Sequence, residues 1–432
     1  MLLYYLKLAA IGLLKNRVSS SMLVITLALG IGASMTMITV VHVITQNPAP
    51  GLSSKLFYPV IEAAAVGSDT SSNGLFTALD AANLINANEA NAQAAMDGGQ
   101  AVITSPNGEA AYVRGHLVTS QFFRLFGVPF EYGTGWTSQD DTDETPVIVL
   151  NGDFARSVFG PANPVGKTMR LDKTDYRIVG VIKDWHPQPL FHGSFSGDYA
   201  FGQEYGDSWF IPLSTALARK VQVAGNMNCW GPTHHQPYAG DSCGWLQFWV
   251  RLDTPQAVRH YQQFLQNYWR DQRQHGRLPR PTPPHLISMM GRLKNLHLVP
   301  DDVSRQLFLA LAFLAVCLLN VAGLLIAKFL RMSAQISIRR ALGASRRDII
   351  CQLVCHGVLL GALGGVLGCL LTFVGILLIR LQPDHYAQLA HVNAGELFAT
   401  ICLAIACALV ASLVPAIRAS RVPPALELKI NE

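Results

Sequence analysis

The chain has 432 residues, half of them hydrophobic and 14% charged, against about 25% charged in an ordinary soluble domain. Long uncharged runs lie towards both ends with a polar block between them, which excludes a purely soluble enzyme, a disordered chain and a coiled coil. The 33 Lys+Arg and 28 Asp+Glu leave a net charge of +5, too small to point to nucleic acid, so the placement of the cations is more informative than their sum.

Residues 1–17 form an amphipathic segment with Lys7 and Lys15. From Val18 to Ile44 no Lys, Arg, Asp or Glu occurs, and a bilayer crossing needs about 20 such residues. The run exceeds the roughly 7–15 apolar residues of a signal peptide and no A-x-A site follows it, so it reads as a retained span over 18–45. Gln306–Ala327, Ile349–Ile379 and Leu397–Val414 predict three more, bounded at 303–330, 349–380 and 397–417. The run at 349–380 is longer than the hydrocarbon needs and must tilt or project.

Lys7, Lys15 and Arg17 precede the first span; Lys328, Arg331, Arg339, Arg340, Arg346 and Arg347 separate the second and third; Arg418, Arg421 and Lys429 follow the fourth. Leu381–Gly395 has neither Lys nor Arg. The positive-inside rule therefore puts both termini, the 331–348 connection and the 418–432 tail in the cytoplasm, and 46–302 and the short loop 381–396 on the other side. The predicted fold class is an α+β membrane protein: four transmembrane helices with a large mixed α/β extracytoplasmic domain inserted between helices 1 and 2. No acidic or basic residue lies deep in a span, which argues against ion-coupled transport. Gly357, Gly361 and Gly365 form a small-residue row suited to close helix packing, either within the chain or against a second copy.

In the polar block the pattern predicts a helix over Leu75–Ala95 and strands at Ala101–Thr104, Tyr112–Leu117, Pro146–Leu150, Thr168–Leu171, Tyr176–Ile182 and Trp245–Leu252. A helix over Pro255–Tyr268 and a proline-rich connection at Pro279–Pro284 follow, and the length suits two subdomains. All seven tryptophans fall here, as core or as a surface for apolar cargo. Cys229 and Cys243 are the block's only cysteines, and an oxidising compartment favours a disulfide between them. His234 and His235 leave a Cys/His metal site as the alternative, although the spacing fits no common zinc pattern. Gly160–Thr168, GPANPVGKT, imitates a phosphate loop, but five residues separate its glycines where the motif needs four. No catalytic constellation, cofactor site or metal site stands out.

Gln335–Ile349, QISIRRALGASRRDI, resembles the E-I-G-I-R-R-A-L-G-A stretch of MacB/FtsX-type ABC permeases. Leu117–Trp136 and Val147–Val181 resemble the extracytoplasmic domain of MacB-type members, in which GPANPVGKT is a strand–turn–strand, and Leu413–Leu428 resembles their last span and tail. The resemblance implies a non-catalytic permease, paired with a second identical or similar permease on a cytoplasmic ABC ATPase dimer. ATP and Mg would be bound by that partner and none by this chain. It implies an inner-membrane location, an inner-leaflet helix before span one, and export of a peptide, antibiotic or toxin-like cargo with a periplasmic adaptor and outer-membrane channel. An FtsX-like signalling or hydrolase-control module and a lipoprotein-release permease are the alternatives. It also implies ATPase coupling through Ile336, Ile338, Arg339, Arg340, Ala341, Leu342, Gly343 and Ala344, with Arg346 and Arg347 adding cations; the same arginines would serve topology or anionic lipid. Gln335 and Ser337 depart from the family's Glu and Gly.

Overall fold

A computed structural model describes residues 2–15, 17–64, 74–104, 110–183, 185, 187, 189, 191–192, 208–230, 238, 242–295, 301–331, 338, 343–381 and 394–420. The chain divides into two compact units, 46–298 and the remainder.

The second of these begins with α1 (Leu2–Lys15) and α2 (Arg17–Thr45). The block between follows in chain order as β1 (Leu56–Val60), α3 (Ala78–Ala87), β2 (Ala92–Thr104), β3 (Ala110–Val118), α4 (Phe122–Phe126) and β4 (Phe130–Gly133). Then come α5 (Ser138–Thr142), β5 (Val147–Asn151), α6 (Gly152–Phe159), β6 (Thr168–Leu171), β7 (Thr174–Ile182), β8 (Trp209–Pro212) and α7 (Leu213–Ala218). It closes with β9 (Gln222–Val223), β10 (Asn228–Cys229), β11 (Cys243–Gly244), β12 (Gln247–Arg251), α8 (Pro255–Gln274), β13 (His285–Ser288) and α9 (Met289–Asn295). Three long helices end the chain: α10 (Asp301–Arg331), α11 (Arg346–Arg380) and α12 (Ala394–Ser420).

In the block, eleven strands share one mixed sheet, ordered β13-β1-β12-β2-β3-β8-β5-β7-β4, with β6 pairing both β2 and β7 and β9 pairing β2. Because β6 bridges β2 and β7, the pairing β2-β3-β8-β5-β7-β6 returns to β2 as a closed ring. Tyr176, Ile178, Ile148 and Leu150 are fully buried in the core. Trp209 is buried too, and side chains at Gly99 and Gly115 would collide with its indole, so these glycines make room for it. Its Nε1 donates to the Val113 carbonyl at 3.3 Å. Trp245 and Trp249 are fully buried and Trp136 nearly so, which makes most of the tryptophans core. β1 and β13 run antiparallel from Phe57↔Ser288 to Val60↔His285. Pro59, which has no N–H, lies beyond the two residues of β1 that pair with β12.

The helix expected over Leu75–Ala95 is shorter. Thr77 caps α3, and Asn88 ends it in the left-handed conformation (φ 52°). Ala92, Ala94 and Ala95 then become buried positions of β2, opposite Arg251, Trp249 and Phe248 of β12; tertiary packing overrides alanine's helix propensity. Gln93 Nε2 secures the reversal by donating to the Leu84 and Ile85 carbonyls at 3.0 and 2.9 Å. GPANPVGKT links helix α6 to β6, with Gly160 capping α6, so it is a helix–turn–strand and not a strand–turn–strand.

Among the described residues four helices are long and apolar enough to cross a membrane: Arg17–Thr45, Asp302–Lys328, Arg346–Arg380 and Gly395–Leu413. At 1.5 Å per residue α11 is about 50 Å long, well beyond the roughly 30 Å hydrocarbon core. Leu23, Leu27, Ile31 and Met35 of α2 pack with Leu314 and Val321 of α10 and Leu353 and Leu360 of α11. Gly357, Gly361 and Gly365 all face α12, meeting Ser412, Ala408, Ile405, Ala404 and Ile401. Gly364 and Gly368 face Leu27 and Ile31 of α2. The two glycine rows of α11 are thus filled from within the chain.

Cys229 and Cys243 oppose each other across β10 and β11 and are joined as a disulfide. His234 and His235 lie outside the described residues, among which no group of three metal-ligating side chains occurs. With a separation of 14 residues the bond constrains the loop by about 3 kcal/mol in the chain-entropy model. Of the eight cysteines, six are free thiols. Maleimide mass tagging of the denatured chain is expected to add six labels without reductant and eight after reduction.

A Cβ at Gly361 would lie 2.8 Å from Ile405 Cα and 2.9 Å from Ala408 Cβ, whereas one at Gly323 meets nothing within 4 Å. Gly361→Leu is therefore expected to cost about 1–3 kcal/mol. Gly323→Ala is expected to be neutral or to stabilise α10 by up to ~1 kcal/mol. Thermal denaturation of the solubilised protein reads both.

Candidate functional site

The segment joining α10 to α11 carries the residues that the sequence marks for coupling. Ile336, Arg339, Arg340, Ala341 and Leu342 lie outside the described residues. Ile338 is helical and exposed, and Gly343 takes φ +101°, a conformation strained for any residue with a Cβ. Ala344 follows, and Arg346 and Arg347 open α11 with both side chains in solvent.

Ser345 fixes where α11 begins. Its Oγ accepts from the Asp348 N–H at 3.3 Å, and Asp348 Oδ2 accepts from the Ser345 N–H at 3.0 Å, a reciprocal capping box. The Asp348 carboxylate also suits the positive end of the helix dipole. Its other oxygen accepts from Tyr5 Oη at 3.1 Å, so α1 is tied to the residue that caps α11. Burial and the Asp348 carboxylate push the Tyr5 phenol above its ordinary pKa, which keeps it a donor.

Ala9 and Leu13 are the buried face of α1, while Tyr4, Ile11 and Leu14 are exposed apolar residues on another face, the arrangement of a helix lying in a membrane interface. Below the connection, Lys328 and His356 meet within the bundle, 3.0 Å apart and each 7% exposed. In the sequence Lys328 reads as one of the cations separating the second and third spans, and His356 draws no reading of its own. The available signal was a neutral but polar ring inside an apolar helix, opposite the last lysine of its neighbour.

In the block, an apolar cleft of about 210 Å³ opens between α3 and α7, lined by Ala78, Ala81, Ile85 and Leu217 with Thr119, Asp141 and Ser214 as its polar members. No tryptophan lines it. The Asp141 carboxylate accepts from the Ser120 N–H at 2.8 Å and Trp136 Nε1 at 2.9 Å, and its burial raises its pKa. His116 and His192 are buried with ring centroids 4.9 Å apart, among Phe122, Phe210 and Trp185.

Four apolar helices, a large mixed α/β block between the first two and an arginine-rich connection between the second and third define a multi-pass membrane protein. Residues 20–267 match the MacB-like periplasmic core domain, and residues 307–424 match the FtsX-like permease C-terminal domain. The chain belongs to the MacB/FtsX-type ABC permeases, as a multi-pass membrane protein with a periplasmic domain. It is 25% identical over 347 residues to the pyoverdine export ATP-binding/permease protein PvdT of Pseudomonas aeruginosa, covering 77% of this chain and 44% of that protein. It is 22% identical over 300 residues to the macrolide export ATP-binding/permease protein MacB of Bdellovibrio bacteriovorus, covering 68% and 40%. It is also 21% identical over 328 residues to the uncharacterized ABC transporter permease YvrN of Bacillus subtilis, covering 73% and 69%. The chain thus spans less than half the length of the first two relatives. The crystal structure of the periplasmic region of MacB from Actinobacillus actinomycetemcomitans aligns with 60% of this chain and 99% of that one, at 15% identity and TM-score 0.39.

Ser345→Ala removes the capping hydroxyl and is expected to cost about 1 kcal/mol at the start of α11. Hydrogen exchange should then rise in residues 346–349 and stay unchanged in α12.

Proposed function

We propose that this chain is the permease subunit of a MacB-type ABC transporter whose ATP and Mg are bound by a partner ATPase dimer. The observation that carries the reading is the α10–α11 connection, whose residues Gln335–Ile349 resemble the family's coupling stretch and lead directly into the capped start of α11. Exposed Ile338 offers an apolar contact, and exposed Arg346 and Arg347 offer cations to a partner surface. In this reading both termini and that connection face the cytoplasm, which the distribution of Lys and Arg favours. Dimerisation of the ATPases on nucleotide would push the connection, and the spans would carry the displacement to the periplasmic domain. A second permease, identical or similar, completes the pair in the inner membrane.

The export names of the similar PvdT and MacB proteins favour outward transport. By the family resemblance the cargo would be of peptide, antibiotic or toxin type, moved with a periplasmic adaptor and an outer-membrane channel. Mass spectrometry of what co-purifies with the natively expressed, tagged chain in mild detergent tests the reading: an ABC ATPase is expected, and its absence would sink the proposal. The double variant Arg339→Glu with Arg340→Glu reverses two charges at the proposed contact. It is expected to lower ATPase recovery by about tenfold or more, with the permease still folded.

A further inference from the structure

A lysine buried in a helix bundle needs an explanation, because its ammonium must find partners away from water. Lys328 lies on α10, three residues before Arg331, and is 7% exposed. Its Nζ donates to Ser20 Oγ of α2 at 3.1 Å and meets His356 Nε2 of α11 at 3.0 Å. An ammonium has only donors, so Nε2 accepts and the proton of the neutral ring sits on Nδ1. The His356 ring also hydrogen-bonds the backbone of Ala9 in α1. Four helices therefore converge on two side chains.

Other cross-helix hydrogen bonds in the bundle join helices in pairs. Ser34 Oγ donates to the Ala310 carbonyl at 3.0 Å, linking α2 to α10, and Thr372 Oγ donates to the Gly32 carbonyl at 3.5 Å, linking α11 to α2. Tyr5 Oη donating to Asp348 joins α1 to α11 in the same pairwise way, and the glycine-mediated contacts of α11 are apolar. These resist separation but are non-directional, and they allow one helix to slide along another. The polar junction does not, because displacing any one helix leaves a buried donor or acceptor without its partner. Its position suits transmission: Lys328 is about 5 Å along α10 from Arg331, and His356 about 15 Å along α11 from Arg346. Both helices attach to the connection proposed to meet the ATPase.

We propose that Lys328 is a positioning residue for coupling: through Ser20, His356 and Ala9 it locks α1, α2, α10 and α11 together, so that displacement of the α10–α11 connection reaches α2. The inference rests on the ATPase-coupling reading above. α2 is the helix that leads into the periplasmic domain, so the junction is the step at which movement of the connection becomes movement of that domain's entry helix.

The test is hydrogen–deuterium exchange of the complete permease–ATPase complex in lipid nanodiscs, without nucleotide and with ATP plus vanadate. In the unaltered protein, exchange is expected to change both at the α10–α11 connection and in the second half of α2. Lys328→Met is expected to keep the first change and reduce the second by roughly 2- to 30-fold. Lys328→Arg, which keeps a buried donor, is expected to restore part of it. A full α2 response in Lys328→Met would overturn the inference. Should Lys328→Met fail to fold, Ser20→Ala removes only the α2 contact; it is expected to weaken the α2 response alone, and an unchanged response overturns the inference. An unaltered complex that responds at the connection but not at α2 overturns this inference only. One that responds at neither overturns the coupling reading as well.

Discussion

Water drives apolar surfaces together in a soluble core, but between helices in lipid that drive is absent and close approach must supply the cohesion. The membrane unit accordingly depends on how near α11 can come to its neighbours. One glycine row faces the small residues Ala404, Ala408 and Ser412 of α12, and another faces Leu27 and Ile31 of α2. α11 is the element against which the other helices are arranged. With both glycine rows occupied, other faces of the bundle, such as the one carrying Phe308 and Leu319 of α10, are the exposed apolar ones.

Placing polar groups in such a bundle is costly, so their positions are informative. Those that join different helices through more than one bond cluster at one end. The Ser345–Asp348 cap, the Tyr5 hydroxyl and the Lys328–His356–Ser20 group all lie near the α10–α11 connection. Towards the middle of the spans, Ser34, Thr36 and Thr372 satisfy themselves on carbonyls of their own helices four residues back.

The spans were legible in the sequence because an uncharged run of that length has few other uses, and the strands from Thr168 to Ile182 were legible because their apolar residues alternate. Over Ala92–Ala95 alanine favours a helix locally, and only pairing with β12, distant in the chain, makes the segment a strand. The glycine spacing on α11 identified a packing face but left its partner open. The matching signal was present as Ala404, Ala408 and Ser412 at four-residue spacing on α12. His356 escaped notice because one uncharged polar residue makes no periodic pattern, and its meaning comes from Lys328, 28 positions away. The ring of strands was illegible for the same kind of reason: β6 closes it onto β2 through two residue pairs far apart in the chain.

The pairing of β1 with β13 has a mechanical side. These are the first and last strands of the block, and they lie next to each other, with Phe57 opposite Ser288 at the end where the chain enters and leaves. In an antiparallel pair pulled apart from the same end, the hydrogen bonds open one after another, as in a zipper, and never share the force. Such a joint is strong when its two leads move in step and weak when they diverge. Leads that part from one another would therefore fray the block first at Phe57 and Ser288.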